Sequence, residues 1–109
     1  TFDGAAKDFV SSTLFCGVDV EEDLLVEAVN NYAICAMYTC ELALAVNTLE
    51  SLIRENPAAH MCDVVVFNLS TLYELSCDNK LQVRKKRVLQ QVAQRFFLDD
   101  IDLLSFRIS

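Results

Sequence analysis

From residue 42 the apolar positions Leu42, Ala45, Val46, Leu49, Leu52 and Ile53 recur at steps of three and four, up to Asn56 and Pro57. Such a rhythm places one apolar stripe along a helix, so it predicts a helix over residues 41–56 that Pro57 stops. Upstream, Glu21, Glu22 and Asp23 gather before an apolar run, where negative charge stabilises a helix N-terminus. A helix is expected over residues 22–38, interrupted at Thr39 and Cys40. Beyond a short linker over residues 58–61, Asp63 opens a helix that carries Val64, Phe67, Leu69, Leu72 and Tyr73. Ser76, Cys77, Asp78 and Asn79 then supply turn and capping residues. A helix over residues 79–97 is expected to bury Leu81, Val88, Leu89, Val92 and Phe96, with Arg84, Lys85, Lys86 and Arg87 on its solvated outer side. At the two ends, Phe2, Ala5, Ala6 and Phe9 read as the tail of a helix over residues 1–15. Asp99 and Asp100 are expected to cap a last segment over residues 101–108, whose Leu103, Leu104, Phe106 and Ile108 need an apolar surface to cover.

Composition sharpens this reading. Glycine (2) and proline (1) are scarce in the 109 residues, which removes the turn punctuation that strand-rich folds require and makes the chain all-α. A formal charge of −7 offers no basic footprint for nucleic acid or for an anionic bilayer. Residues 28–49 carry Glu41 as their one charge. A membrane span there would bury Asn30, Asn31, Glu41 and Asn47 in lipid, so two packed helices are expected instead. No basic-then-apolar leader opens the sequence given. The five cysteines (Cys16, Cys35, Cys40, Cys62, Cys77) are odd in number, lack a CxxC pair and read as reduced core or turn thiols of a cytosolic protein.

Candidate chemistry is sparse. His60 is the single histidine, so neither a multi-histidine metal site nor a Ser-His-Asp triad can be assembled, and it reads as a loop histidine. The acidic groups at residues 21–23 and 99–102 serve helix N-termini. Gly4 and Gly17 lie in no phosphate-binding pattern. No catalytic residue, metal or cofactor is expected.

Two stretches align with one another: AVNNYAICAMYTCELALAVNTLESLIRENP at residues 28–57, and VVFNLSTLYELSCDNKLQVRKKRVLQQVA at residues 65–93. Asn31 matches Asn68 across 37 residues, close to the roughly 34-residue period of a helix-turn-helix repeat. Ala33 and Ala45 place small residues where two antiparallel helices cross. The pattern resembles the tetratricopeptide repeat, although Val29 and Ala36 stand where that family carries aromatics, and Val83 stands where the second unit would carry alanine. The resemblance implies an α-solenoid of antiparallel helix pairs, the C-terminal fragment of a longer array, as one segment over residues 1–109. Residues 1–15 would be the second helix of a truncated repeat, 22–57 a full repeat, 63–97 a divergent repeat and 98–109 a cap.

Within that family, AVNNYA at residues 28–33 and VVFNLSTLYEL at residues 65–75 resemble the last repeats of tetratricopeptide subunits of vesicle-tethering complexes. This resemblance implies a non-catalytic protein-interaction subunit acting in traffic between endoplasmic reticulum and Golgi. It would be cytoplasmic and peripheral at the Golgi or the intermediate compartment. Its partners would be other protein subunits, with no nucleic acid, membrane insertion or small-molecule substrate. The concave face of such an array would present Asn30, Ile34 and Met37 from one unit, and Val64, Phe67 and Thr71 from the next. An adaptor that binds short linear peptides in the same groove is the alternative, disfavoured by the lack of Lys or Arg there to hold a terminal carboxylate.

Overall fold

The computed structural model describes residues 18–108, with side chains from residue 21 onward. The helix tail expected over residues 1–15, and Cys16, lie outside them. The described chain folds into α1 (Val18–Tyr38), α2 (Leu42–Glu55), the single turn α3 (Pro57–His60), α4 (Asp63–Ser76), α5 (Asn79–Arg95) and a 3₁₀ turn, Leu103–Phe106. No strand occurs among the described residues. None of their helices is long and apolar enough to cross a membrane.

The helix ends follow from local chemistry. Asp78 caps α5 by accepting from the Leu81 N–H at 2.8 Å. Asn56 accepts from the Ala59 N–H at 3.3 Å, and Pro57 occupies the first position of α3, where a missing N–H costs nothing. Pro57 therefore starts a new turn as well as ending α2. Two C-termini close without glycine. In α1, Glu41 N–H donates to Ala36 O (2.8 Å) and Cys40 N–H to Met37 O (3.0 Å). In α5, Leu98 N–H donates to Ala93 O (2.9 Å) and Phe97 N–H to Gln94 O (3.2 Å). Both are Schellman motifs, and they hold Cys40 (φ 63°) and Phe97 (φ 56°) in the left-handed region.

Successive helices pack as neighbours: α1 on α2, α2 on α4, α4 on α5, with the 3₁₀ turn against α4 and α5. The molecule is an all-α stack of helix pairs. Ala33, Ala45, Leu49, Val65, Val66, Leu69 and Leu72 are fully excluded from solvent. With Ala33 on α1 and Ala45 on α2, the two backbones approach without intervening bulk. Ile101 and Phe106, 7 % and 2 % exposed, seat the C-terminal segment on the end of the stack. The 3₁₀ turn is capped by Asp102, whose Oδ1 accepts from Leu104 N–H at 2.9 Å, rather than by Asp99 and Asp100.

Several sequence expectations are corrected here. On α5, Leu81, Val88 and Phe96 are 39 %, 51 % and 42 % exposed, while the buried stripe runs through Lys86, Leu89 and Ala93. The stripe is set by α4 together with the C-terminal segment, which covers a side of α5 that the helical period alone leaves undefined. Lys86 is 1 % exposed and so leaves the solvated basic face. His60 is not a loop histidine: it ends α3 and is 2 % exposed. Cys35 is exposed on α1 rather than in the core, whereas Cys62 and Cys77 are half-buried at the two ends of α4.

Candidate functional site

The face formed by α1 and α4 carries the residues that the repeat pattern assigns to a groove. Asn30 is turned inward, 7 % exposed, and its Oδ1 accepts from Asn68 Nδ2 at 3.0 Å. Its amide ties α1 to α4 and is not presented to a partner. Ile34 and Met37 are half-buried, Met37 against the core. Val64 and Phe67 are the open members, 51 % and 43 % exposed. Thr71 is half-buried one turn further on, and its hydroxyl donates to the Phe67 carbonyl at 2.9 Å.

Beside Phe67 lies a cation that sequence reasoning does not place there. The Arg107 guanidinium sits 5.1 Å from the centre of the Phe67 ring. It is already engaged: Arg107 Nε and Nη2 donate to the two carboxylate oxygens of Glu74 at 2.8 and 3.1 Å. Lys86 Nζ donates to Glu74 Oε2 at 2.7 Å and to the Arg107 carbonyl at 2.9 Å. The hydrogen bonds from Arg107, then from Lys86, hold the Glu74 carboxyl down at about 2. The same pairing raises Arg107 above its ordinary value. This cluster fastens the C-terminal segment to α4 and α5, with Asp63 as a second clamp: its Oδ1 accepts from Asp102 N–H at 2.7 Å and Ser105 Oγ at 3.0 Å.

The remaining polar side chains of the interior are also structural. His60 Nδ1 donates to the Leu52 carbonyl at 2.7 Å, and Nε2 faces Glu22 Oε2, so one ring joins α1, α2 and α3. Tyr73 donates to Glu50 Oε2 at 2.6 Å. Burial, then that carboxylate, pushes its phenol far above the usual range. Lys85 stands 3.7 Å from Glu50 and 5.2 Å from the centre of the Tyr73 ring. No cluster of three or more His, Cys, Asp or Glu side chains that could hold a metal occurs among the described residues.

Sequence reasoning missed the Glu74, Lys86 and Arg107 cluster. Glu74 and Lys86 are 12 residues apart and Glu74 and Arg107 are 33 apart. No local spacing announces either pair.

Two curated relatives align with the chain. Trafficking protein particle complex subunit 12 of Mus musculus is 34 % identical over 66 residues, 61 % of this chain and 8 % of that protein. The Homo sapiens protein of the same name is 35 % identical over 64 residues, 59 % of this chain and 9 % of that protein. The chain resembles that subunit, and the match spans under a tenth of these relatives' length. No protein-family model matches the chain, and no solved structure matches it.

Proposed function

We propose that this chain is a non-catalytic protein-interaction segment of a subunit in a multisubunit vesicle-tethering complex, acting in traffic between endoplasmic reticulum and Golgi. The observation that carries the reading is the resemblance to trafficking protein particle complex subunit 12 over about three-fifths of the chain. The stack of helix pairs supports it. In this reading α1 and α2 form one tetratricopeptide-type repeat, α4 and α5 form a divergent second, and residues 98–109 cap the array. Ala33 and Ser70, both fully buried and 37 residues apart, are then equivalent small positions. The segment acts in the cytoplasm, peripherally at Golgi or intermediate-compartment membranes, through other protein subunits.

Its buried ionisable side chains serve packing and fastening, which supports a non-catalytic role. Val64 and Phe67 form the centre of the partner-binding groove, flanked by Ile34, Met37 and Thr71, while Asn30 positions the wall through Asn68. A short-peptide adaptor is the weaker reading, because Glu74 neutralises the cation beside Phe67 and leaves it unfit to hold a terminal carboxylate. The test is affinity purification of the full-length protein from cells. Other tethering subunits in stoichiometric amounts are expected in the eluate, and a protein that elutes alone contradicts the reading.

A further inference from the structure

The helical period of α5 puts Leu81, Val88, Val92 and Phe96 on one stripe, at steps of seven and four. The described residues leave it largely uncovered: Val88 and Phe96 are exposed and Val92 is half-buried. The stripe borders an open seam, because α2 and α5 both pack on α4 and scarcely touch each other. There Ile53 on α2, Leu69 and Tyr73 on α4, and Val88, Val92 and Phe96 of α5 and its C-cap line a hollow of about 290 Å³. That space exceeds the ~150 Å³ in which a benzene ring is accommodated, so one leucine- or phenylalanine-sized side chain fits it. By helical phase Leu69 and Tyr73 lie on the side of α4 opposite Val64, Phe67 and Thr71, so the hollow is distinct from the groove of the proposed function.

The charged residues that line the hollow are Glu50 and Arg54. Glu50 is committed: it accepts from the Tyr73 hydroxyl at 2.6 Å and faces Arg54 at 3.8 Å and Lys85 at 3.7 Å. The other acidic side chains of the three helices are held elsewhere or turned away. Asp63 accepts from the C-terminal segment, Glu74 is bound by Lys86 and Arg107, and Glu55 falls on the far side of α2 by helical phase. Helix α5 has no Asp or Glu and carries six of the chain's nine Lys and Arg residues. Among them, Arg84 lies four residues before Val88 and Arg95 three after Val92, so both flank the stripe on its solvent side. Both are exposed and make no hydrogen bond or ion pair among the described residues.

An apolar hollow edged by two cations without a partner is complementary to an apolar side chain flanked by carboxylates. A stripe at helical steps beside a groove suits the apolar face of a second helix. A second copy docked α5 against α5 would bring like charges together. A bilayer would meet Arg84 and Arg95 without reaching the floor at Leu69 and Tyr73, which are 0 % and 3 % exposed. We propose that the seam between α2 and α5 docks an acidic amphipathic helix of a partner protein, which inserts one leucine- or phenylalanine-sized side chain over Leu69 and Tyr73 and pairs flanking Asp or Glu with Arg84 and Arg95.

The test uses the full-length protein and a fluorescent helical peptide of about 20 residues, with leucines on one face and glutamates beside them. A control peptide replaces each glutamate by lysine. Fluorescence anisotropy is expected to give a Kd on the order of micromolar for the glutamate peptide and at least about tenfold weaker binding for the control. Val88→Ser with Phe96→Ser is expected to weaken the glutamate peptide about tenfold or more, and Arg84→Gln with Arg95→Gln to weaken it and flatten its salt dependence. These four side chains are exposed, so unchanged thermal melts serve as the folding control. Val64→Glu with Phe67→Glu, on the opposite side of α4, is expected to leave this binding unchanged, which separates the seam from the groove. Equal binding of both peptides, no binding of the glutamate peptide, or binding indifferent to the α5 variants overturns the proposal. So does binding that the Val64 and Phe67 variant alone removes, or capture by phosphatidylserine vesicles in place of the peptide.

Discussion

Glu74 receives three donors, Lys86 Nζ at 2.7 Å and Arg107 Nε and Nη2 at 2.8 and 3.1 Å, and so carries the attachment of the chain's last turn. Its carboxyl lies at about 2 in the folded protein against an ordinary 4.5. A depressed carboxyl contributes stability that is fully present above the unfolded value and is lost as pH falls through the folded one. Protection of the amides at residues 101–108, relative to their intrinsic exchange rates, is therefore expected to fall between about pH 4.5 and 2, ahead of α1 and α2. Lys86→Met removes the buried cation and leaves the Arg107 carbonyl unpaired. Because Glu74 keeps Arg107, the expected loss is about 2–3 kcal/mol by denaturant unfolding, below the 3–5 typical of an abandoned buried partner. Arg84→Ala, on the exposed side, should stay within about ±0.5 kcal/mol. Ser70 makes the opposite case: its hydroxyl is buried without a partner among the described residues. Ser70→Ala is expected to raise stability by up to about 1 kcal/mol, since an unsatisfied buried hydroxyl is removed with little change in volume.

At the scale of the elements, Ala33 and Ala45 set how closely α1 and α2 approach. Ala33→Leu or Ala45→Leu should cost about 1–3 kcal/mol, because either forces the pair apart. Cys40 and Phe97 close Schellman turns at φ 63° and 56°, a conformation that costs a non-glycine residue about 1–2 kcal/mol. Cys40→Gly is expected to raise the unfolding midpoint, corresponding to about 1 kcal/mol, in thermal or denaturant melts. The same turns explain what could be read locally and what could not. Leu49, Leu52 and Ile53 follow a clean helical period, and all three are buried. Asp78 announced the start of α5 because its side chain can reach the first turn. Helix α5 ends at Arg95, two residues before the helical period does, because Phe97 gives no glycine signal for a left-handed cap. In local sequence Arg84 to Arg87 form a solvated run, whereas Lys86 finds Glu74 on the preceding helix and the Arg107 carbonyl beyond the following turn. His60 was hidden in the same way, its carboxylate partner Glu22 lying 38 residues upstream.

In the whole molecule, each helix buries its stripe chiefly against the next, as in arrays whose stability is a sum of neighbouring contacts. The order of helices and the small-residue crossing were legible, because both are written in local spacing. The exposure of Val64 and Phe67 follows from helical phase, but the inward turn of Asn30 depends on Asn68 across α1 and α4. The apolar run at Leu103, Leu104, Phe106 and Ile108 marks the C-terminal segment as one that must cover an apolar surface, while the charged cluster that fastens it depends on residues brought together only by packing. In the proposed function, the Val64 and Phe67 face binds other subunits of a tethering complex. Affinity purification of the full-length protein carrying Val64→Glu with Phe67→Glu, compared with the unsubstituted protein by quantitative mass spectrometry, tests it most directly. Unchanged helicity and a loss of co-eluting subunits of about tenfold or more are expected, because charge enters an apolar contact centre. Full retention of every subunit by the folded double variant would contradict it.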